Sequence, residues 1–312
     1  MRFALFTGLG RTTWDDTLAL WRHAEATGWD AACVTDHFMP NTADRSGDTL
    51  ECWTALAALA AMTSRMRVGT IVSSNTYRHP AVLAKMAANV DIISHGRLIC
   101  GIGAGWQENE HRAYGIPFGT VGERLARLDE ACQVVKALWT RERTTFGGRH
   151  YQLDDAPLMP KAVQHPHPEL MVGGGGEKVT LKIAARYADH WNVSGGPATL
   201  TAKGKILEDH CAAIGRDPRS IVRSAAMALA LSEDAAEVDR ARMLYMTRMG
   251  VNEAKARDAV LGGGPEEIKE KLGHLTEAKV GMLFVHTMFL PPGADRLRVL
   301  DRFIAEVAPT FR

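Results

Sequence analysis

The stretch from Glu169 to Ser194 reads ELMVGGGGEKVTLKIAARYADHWNVS. It holds a short apolar strand over Glu169–Val172, a run of glycines, a helix near Lys178–Tyr187 and a second strand over His190–Ser194. Apolar runs of this length, bounded by turn residues and alternating with helix-like stretches, indicate parallel strands joined by crossover helices. Towards the N-terminus the same unit recurs. Strands are expected over Arg2–Phe6, Ala31–Thr35, Arg67–Ser73 and Arg97–Gly103, with helices near Asp15–Thr27, Leu50–Thr63, Pro80–Ser94 and Val121–Trp139. Towards the C-terminus, strands are expected over Ile221–Leu229 and Val280–His286, with helices near Thr199–Ile214 and Asp295–Ala308. Gly264-Pro265-Glu266-Glu267 marks a further helix start, with proline at the first position and acids in the first turn. Two segments break the rhythm: a hairpin over Arg143–Leu153 around Gly147-Gly148, and helical material running on to Val260.

Eight strands alternating with helices predict a (β/α)8 TIM barrel, a fold of about 250 residues. The expectation is one domain over 1–312 with insertions after strands 4 and 7. At about 150 residues per domain the length would also allow two domains, and the competing architecture is an open doubly wound sheet. That sheet would carry its nucleotide fingerprint at the first turn. Thr7-Gly8-Leu9-Gly10-Arg11 lacks the third glycine, which favours the barrel.

Composition narrows the function classes. Apolar residues make up 46% and charged residues 23%, an ordinary globular mix. Lys and Arg number 37 against 36 Asp and Glu, with no basic stripe of the kind that nucleic-acid binding needs. No apolar run reaches the roughly 18–20 residues of a membrane span, and the N-terminus turns acidic too early for a secretory signal. The five cysteines are scattered and show no CxxC spacing, which reads as reduced thiols in a cytoplasmic protein.

A barrel places its chemistry in the loops after the strands. Those loops hold Asp36-His37-Phe38, the segment Ser73–His79, the run Gly101–Trp106 with Asn109 and Glu110, then Gly173–Gly176, Asn192 and His286. Four glycines entering a helix let a ligand approach the backbone, and helix N–H groups attract anions. Phosphate binding is therefore expected over Gly174–Val179, with Gly175, Gly176 and Lys178 in it; a flexible turn is the plainer reading. The Walker pattern is absent. Gly101–Gly105 is GxGxG with Trp106 in place of a last glycine, so it suits the rim of a flat pocket better than a dinucleotide fingerprint. His37 closes a strand beside an acid and suits proton transfer. The His165–His167 pair lies between prolines without partners at metal spacing, so no metal is expected. No GxSxG nucleophile motif occurs.

Several pieces together carry a resemblance. TDHF (Thr35–Phe38), NTYRHPAVLAKMAANVD (Asn75–Asp91), GRLICGIGAGW (Gly96–Trp106), YGIPF (Tyr114–Phe118) and MVGGGGEKVTLKIAARYADHWN (Met171–Asn192) resemble the luciferase-like monooxygenase superfamily. The compact length, TDHF and YRHP look most like its branch that uses the deazaflavin coenzyme F420. That resemblance implies a luciferase-like barrel, commonly a homodimer, with the cofactor phosphate at Gly174, Gly175, Gly176, Lys178 and Val179. It implies that Asp36 faces the ring system, that Ser74, Ala104 and Gly105 line it, and that Asn109 contacts it. It also implies a non-proline cis peptide near Ile71-Val72 against the cofactor. Trp106 and Asn75 would face the substrate. The sugar-phosphate dehydrogenases of this branch carry a glutamate where this chain has Trp106, which argues against glucose 6-phosphate as substrate.

The implied chemistry is hydride transfer at the deazaflavin C5, with His37 or water handling the proton. The nearest rival is a monooxygenase using reduced FMN and oxygen, with a separate reductase supplying the reduced cofactor. A flavin-binding protein without turnover and a metal-dependent barrel hydrolase are the other classes.

Overall fold

The computed structural model describes residues 1–41 and 46–312. In chain order the elements are β1 (Arg2–Thr7), α1 (Trp14–Thr27), β2 (Ala31–Val34), α2 (Cys52–Ala61), β3 (Arg67–Thr70), β4 (Ser73–Ser74), α3 (Pro80–Ile93) and β5 (Leu98–Gly103). There follow α4 (Glu108–Ala113), α5 (Val121–Thr140), β6 (Arg143–Gly147), β7 (Gln152–Pro157), β8 (Glu169–Gly173), α6 (Thr180–Tyr187), β9 (His190–Ser194) and α7 (Pro197–Ala212). The chain ends with β10 (Val222–Leu231), α8 (Ala235–Met249), α9 (Glu253–Ala259), β11 (Val260–Gly263), α10 (Pro265–Glu277), β12 (Met282–His286) and α11 (Ala294–Arg302).

Eight parallel staves close into a ring in the order β1, β2, β3 with β4, β5, β8, β9, β10 and β12, which pairs back onto β1. This is the expected barrel. Between the staves and the surrounding helices lies a large core that includes Trp21, Trp53, Leu56, Leu128 and Trp191. A second, smaller cluster fills the ring itself and holds Ala4, Cys33, Ile71, Ile99, Met171 and Phe284. No helix among the described residues is long and apolar enough to cross a membrane.

The barrel also encloses a polar set. His190 Nδ1 lies 2.6 Å from Glu169 Oε1, and its Nε2 lies 2.7 Å from Ser224 Oγ, which also accepts from Asn192 Nδ2 at 2.8 Å. Burial would raise the Glu169 carboxyl, but bonds from His190 and Arg67 outweigh it and bring it down to about 2. The Ser–His–Glu arrangement has hydrolase geometry, yet Ser224 and His190 are wholly buried. It ties β8, β9 and β10 together.

Four expectations change. The third strand is not continuous over Arg67–Ser73: Val68 pairs with Leu98 while Ser73 pairs with Ile102, so this stave carries one extra residue, a bulge. Helical material stops at Ala259, and Val260–Gly263 forms β11, paired parallel to the outer end of β10. Regular α-helix ends at Arg302 rather than Ala308, followed by π and 3-10 turns; Pro309 has no N–H to extend a helix. The helix expected from Lys178 begins at Thr180. The hairpin forms as β6 and β7 and runs on to Pro157. Proline and a carboxylate open α10 as expected, with the Gly264 N–H donating to Glu267 at 2.8 Å.

Candidate active site

Parallel staves deliver all their C-terminal ends to one face. Its floor is built by the bulge. The Ile71–Val72 peptide is cis, at the place expected. Ile71 belongs to the cluster inside the ring, and Val72 is the partly exposed member of the pair. A Cβ on Gly101 or Gly103 would stand 2.8 Å from a Val72 methyl, and one on Gly173 would stand 2.9 Å away. These three glycines therefore leave the room that the Val72 side chain fills, which is why the strand ends are so poor in side chains.

Asp36 sits at the end of β2 but does not present its carboxylate to the pocket. Its oxygens accept from Arg78 Nη1 at 2.5 Å and Nη2 at 3.2 Å, and Arg78 also binds Glu51 at 2.5 Å. Burial pushes the Asp36 carboxyl up, against the pull of Arg78 and Ser73. The expected contact with a ring system is thereby replaced by an anchoring role, because a desolvated carboxylate needs its cation close.

His37 is half-buried, and its Nδ1 lies 2.8 Å from Oε1 of the fully buried Glu110. Glu110 also accepts from the Tyr77 hydroxyl and, at 2.9 Å, from the Phe38 N–H. Burial would raise this carboxyl, yet the bonds from His37, Tyr77 and Phe38 hold it below the usual range. A carboxylate on Nδ1 fixes the tautomer and leaves Nε2 for chemistry. Trp106, 62% exposed, meets the His37 ring edge-on with centroids 5.5 Å apart. Glu110 stood in the sequence only as a polar residue after the fourth strand, and its partnership with His37 was not foreseen.

Ser74 ends β4, and Gly105 must lack a side chain, since a Cβ there would lie 2.4 Å from Ser74 Oγ. Ala104 and Gly105 are half-buried beside it. Asn75 is buried, with its amide N–H groups donating to the Gly103 and Arg124 carbonyls at 3.0 and 3.4 Å. It holds the turn in place rather than lining an open substrate pocket. The side-chain oxygens of both Asn75 and Asn109 are buried without a partner.

The residues expected to meet a phosphate lie together in the loop after β8. A cavity of about 370 Å³ is lined by Gly175, Gly176, Lys178, Val179, Thr180 and Lys203. A Cβ on Gly176 would press on Thr180 Oγ1 at 2.7 Å, and Gly174 has φ +124. Lys203, unforeseen because it comes from α7, donates to the Gly175 carbonyl at 2.7 Å and to Glu177 at 3.0 Å. In the ring order, β8 lies directly across the barrel from β1. The loop after β8 therefore leaves the stave opposite β1, while His37 follows β2 and His286 ends β12, the two neighbours of β1 in the ring. His286 stacks on Phe6 at 3.9 Å; both its ring nitrogens are buried without partners, and burial pushes its pKa down to about 3.

Among the described residues no group of three or more His, Cys, Asp or Glu is placed to hold a metal ion. His167 Nδ1 lies against the Pro168 carbonyl at 2.8 Å. The described cysteines are all buried.

This geometry coincides with a sequence match. The luciferase-like monooxygenase family model covers residues 1–287. The chain belongs to that family. An F420-dependent glucose-6-phosphate dehydrogenase of Kineococcus radiotolerans is 32% identical over 315 residues, spanning 93% of this chain and 90% of that protein. An F420-dependent secondary alcohol dehydrogenase in complex with an F420-acetone adduct superposes with TM-score 0.86 at 22% identity, over 100% of this chain and 99% of the other. The F420-dependent tetrahydromethanopterin reductase of Methanopyrus kandleri superposes with TM-score 0.83 at 19% identity, over 100% and 99%. At these identities the two structures share the fold.

Proposed function

We propose that this luciferase-like barrel is an F420-dependent oxidoreductase that transfers a hydride between the cofactor and a small organic substrate at His37. The relative of 32% identity is F420-dependent, and the residues present fit such a group. The Gly174–Gly176 cradle with Lys178, Val179 and Lys203 suits a phosphate. The orphaned Asn109 oxygen, Ser74 and the bare Ala104-Gly105 backbone suit a flat polar ring above Val72.

When bound, F420 supplies the hydride-carrying carbon C5, and every other task falls to the chain. Glu110 keeps the Nδ1 proton of His37 in place, so Nε2 gives or takes the substrate proton. Trp106 provides an apolar wall. The family resemblance puts it where the sugar-phosphate dehydrogenases carry a glutamate, which favours a flat or apolar substrate over a sugar phosphate. The hydrogen-bonded His37–Glu110 pair beside the C-terminal ends of the staves is the observation that carries this reading. A homodimer is part of the same proposal, supported by exposed Met62, Val82 and Ile93 around the ends of α2 and α3. So is a separate enzyme that regenerates the reduced cofactor.

Fluorescence-quenching titrations with F420, FMN and FAD at one ionic strength test the assignment. Micromolar or tighter F420 binding with negligible FMN binding is expected. Preference for FMN would overturn it in favour of oxygen-dependent oxidation with reduced FMN.

A further inference from the structure

Ser74, Thr76 and His111 form an unbroken line of hydrogen bonds from the pocket rim into the protein. Ser74 Oγ lies 2.6 Å from Thr76 Oγ1, which lies 2.6 Å from Nε2 of His111. The far end has a fixed sense: His111 Nδ1 lies 2.7 Å from the Gln107 carbonyl, which can only accept, so Nδ1 carries a proton. With a neutral ring, Nε2 accepts from Thr76, Thr76 accepts from Ser74, and Ser74 shows the pocket lone pairs alone. With a proton on Nε2 each bond reverses, and the Ser74 hydroxyl hydrogen turns outward. No heavy-atom bond changes; the imidazole gains one proton and two hydroxyls rotate.

The surroundings are built to keep this line. His111 is wholly buried, with the Tyr77 and Phe118 rings at 4.8 and 4.7 Å. Among the described residues, the ionisable groups beside it are Tyr77 from the turn after β4, Glu110 on its own helix, and Arg124 of α5, whose guanidinium lies 3.7 Å from the Phe118 centroid. Gly105 has φ +82, and a Cβ there would strike both hydroxyls, at 2.4 and 3.1 Å.

We infer that His111 is a positioning residue whose own protonation decides whether Ser74 accepts from, or donates to, the ring bound at the pocket. Taking that ring as F420 rests on the preceding reading. In this inference Ser74 meets the ring nitrogen that is a bare acceptor in the oxidised deazaflavin and carries an added N–H in the reduced form. A protonated His111 therefore favours the oxidised cofactor, and a neutral His111 favours the reduced one.

Two measurements test this. In the ligand-free protein, 15N-histidine NMR should show His111 protonated at Nδ1 with Nε2 accepting, and Thr76→Val should shift the Nε2 resonance. An unmoved resonance would overturn the inference whatever binds. Oxidised F420 should then bind about tenfold more tightly as pH falls through the NMR midpoint of His111, the change made by about 1.4 kcal/mol. That step should vanish in Thr76→Val and in His111→Gln, which keeps a polar group without titrating. Persistence of the step in folded variants would overturn the inference. Absence of F420 binding at every pH, with the NMR result as expected, would remove the F420 assignment alone; the same pH series with FMN would then have to show a step lost in both variants.

Discussion

Nδ1 of His37 stands 2.8 Å from Oε1 of Glu110, a carboxylate with no solvent exposure. The two are 73 residues apart in the chain, and among the described residues no lysine or arginine pairs with the carboxylate. Glu110→Gln should lower turnover by about 10²-fold, at the low end of what positioned acid–base groups supply. The F420 dissociation constant should stay within about threefold of wild type. Steady-state kinetics beside fluorescence titration separate the two, and a parallel loss of cofactor binding would contradict the role given to the pair.

The fit of Val72 between the glycine strand ends predicts a rescue. Gly173→Ala places a methyl 2.9 Å from Val72 and meets no backbone within 3.4 Å. It should therefore destabilise the barrel by about 1–3 kcal/mol, the range for overpacking. Val72→Ala in the same chain should recover most of that loss. Urea unfolding of both single variants and the double variant gives the coupling; simple additivity would show that the two side chains do not compete for space.

His286 carries two buried nitrogens without partners. His286→Phe removes them at similar volume, so it should raise stability by about 1–3 kcal/mol at pH 7. The sign with pH follows from a ring at about 3 when folded against 6.5 when unfolded. The unfolded chain binds the extra proton, so stability is full above pH 6.5 and falls as pH drops through the window to 3. The slope for one proton is about 1.4 kcal/mol per pH unit. Between pH 6.5 and 5 the His286→Phe variant should lose stability with a slope shallower by an amount that grows from about half of this to nearly all of it, measurable as midpoint shifts in urea. An unchanged slope would mean that the ring already holds a proton.

Arg78 bridges Asp36 and Glu51. Arg78→Met leaves the buried Asp36 carboxylate without its cation and should cost about 3–5 kcal/mol. Adding Asp36→Asn should return part of it. Calorimetric melting of the two chains would decide, and a milder single variant would mean that Asp36 is already protonated in the fold.

The residues told apart what is local. Parallel staves are buried on both faces and read as short apolar runs, so the strand count, the crossover helices and the two insertions were legible. The glycine loop over Gly173–Gly176 was legible too, as a run without side chains, and Gly174 at φ +124 adopts a backbone that favours glycine. Val260–Gly263 was not, since four residues after a helix carry too little periodicity to mark a strand. The cis peptide at Ile71–Val72 came through family resemblance, and the bulge around it was not legible, because nothing in RVGTIVSS departs from an ordinary strand.

Pairings across the barrel belong to the tertiary structure. Asp36 and His37 are adjacent in the chain, yet one is locked to Arg78 and the other to Glu110. His111, Thr76 and Ser74 share one hydrogen-bonded line although no spacing announces it, and Lys203 reaches the glycine loop from α7, beyond the next strand. Composition and periodicity determined which residues stand at the ends of the staves. Closure of the ring, with its register and its one-residue bulge, decided which of them are desolvated and which partner each one meets, because burial and charge pairing are properties of the assembled site.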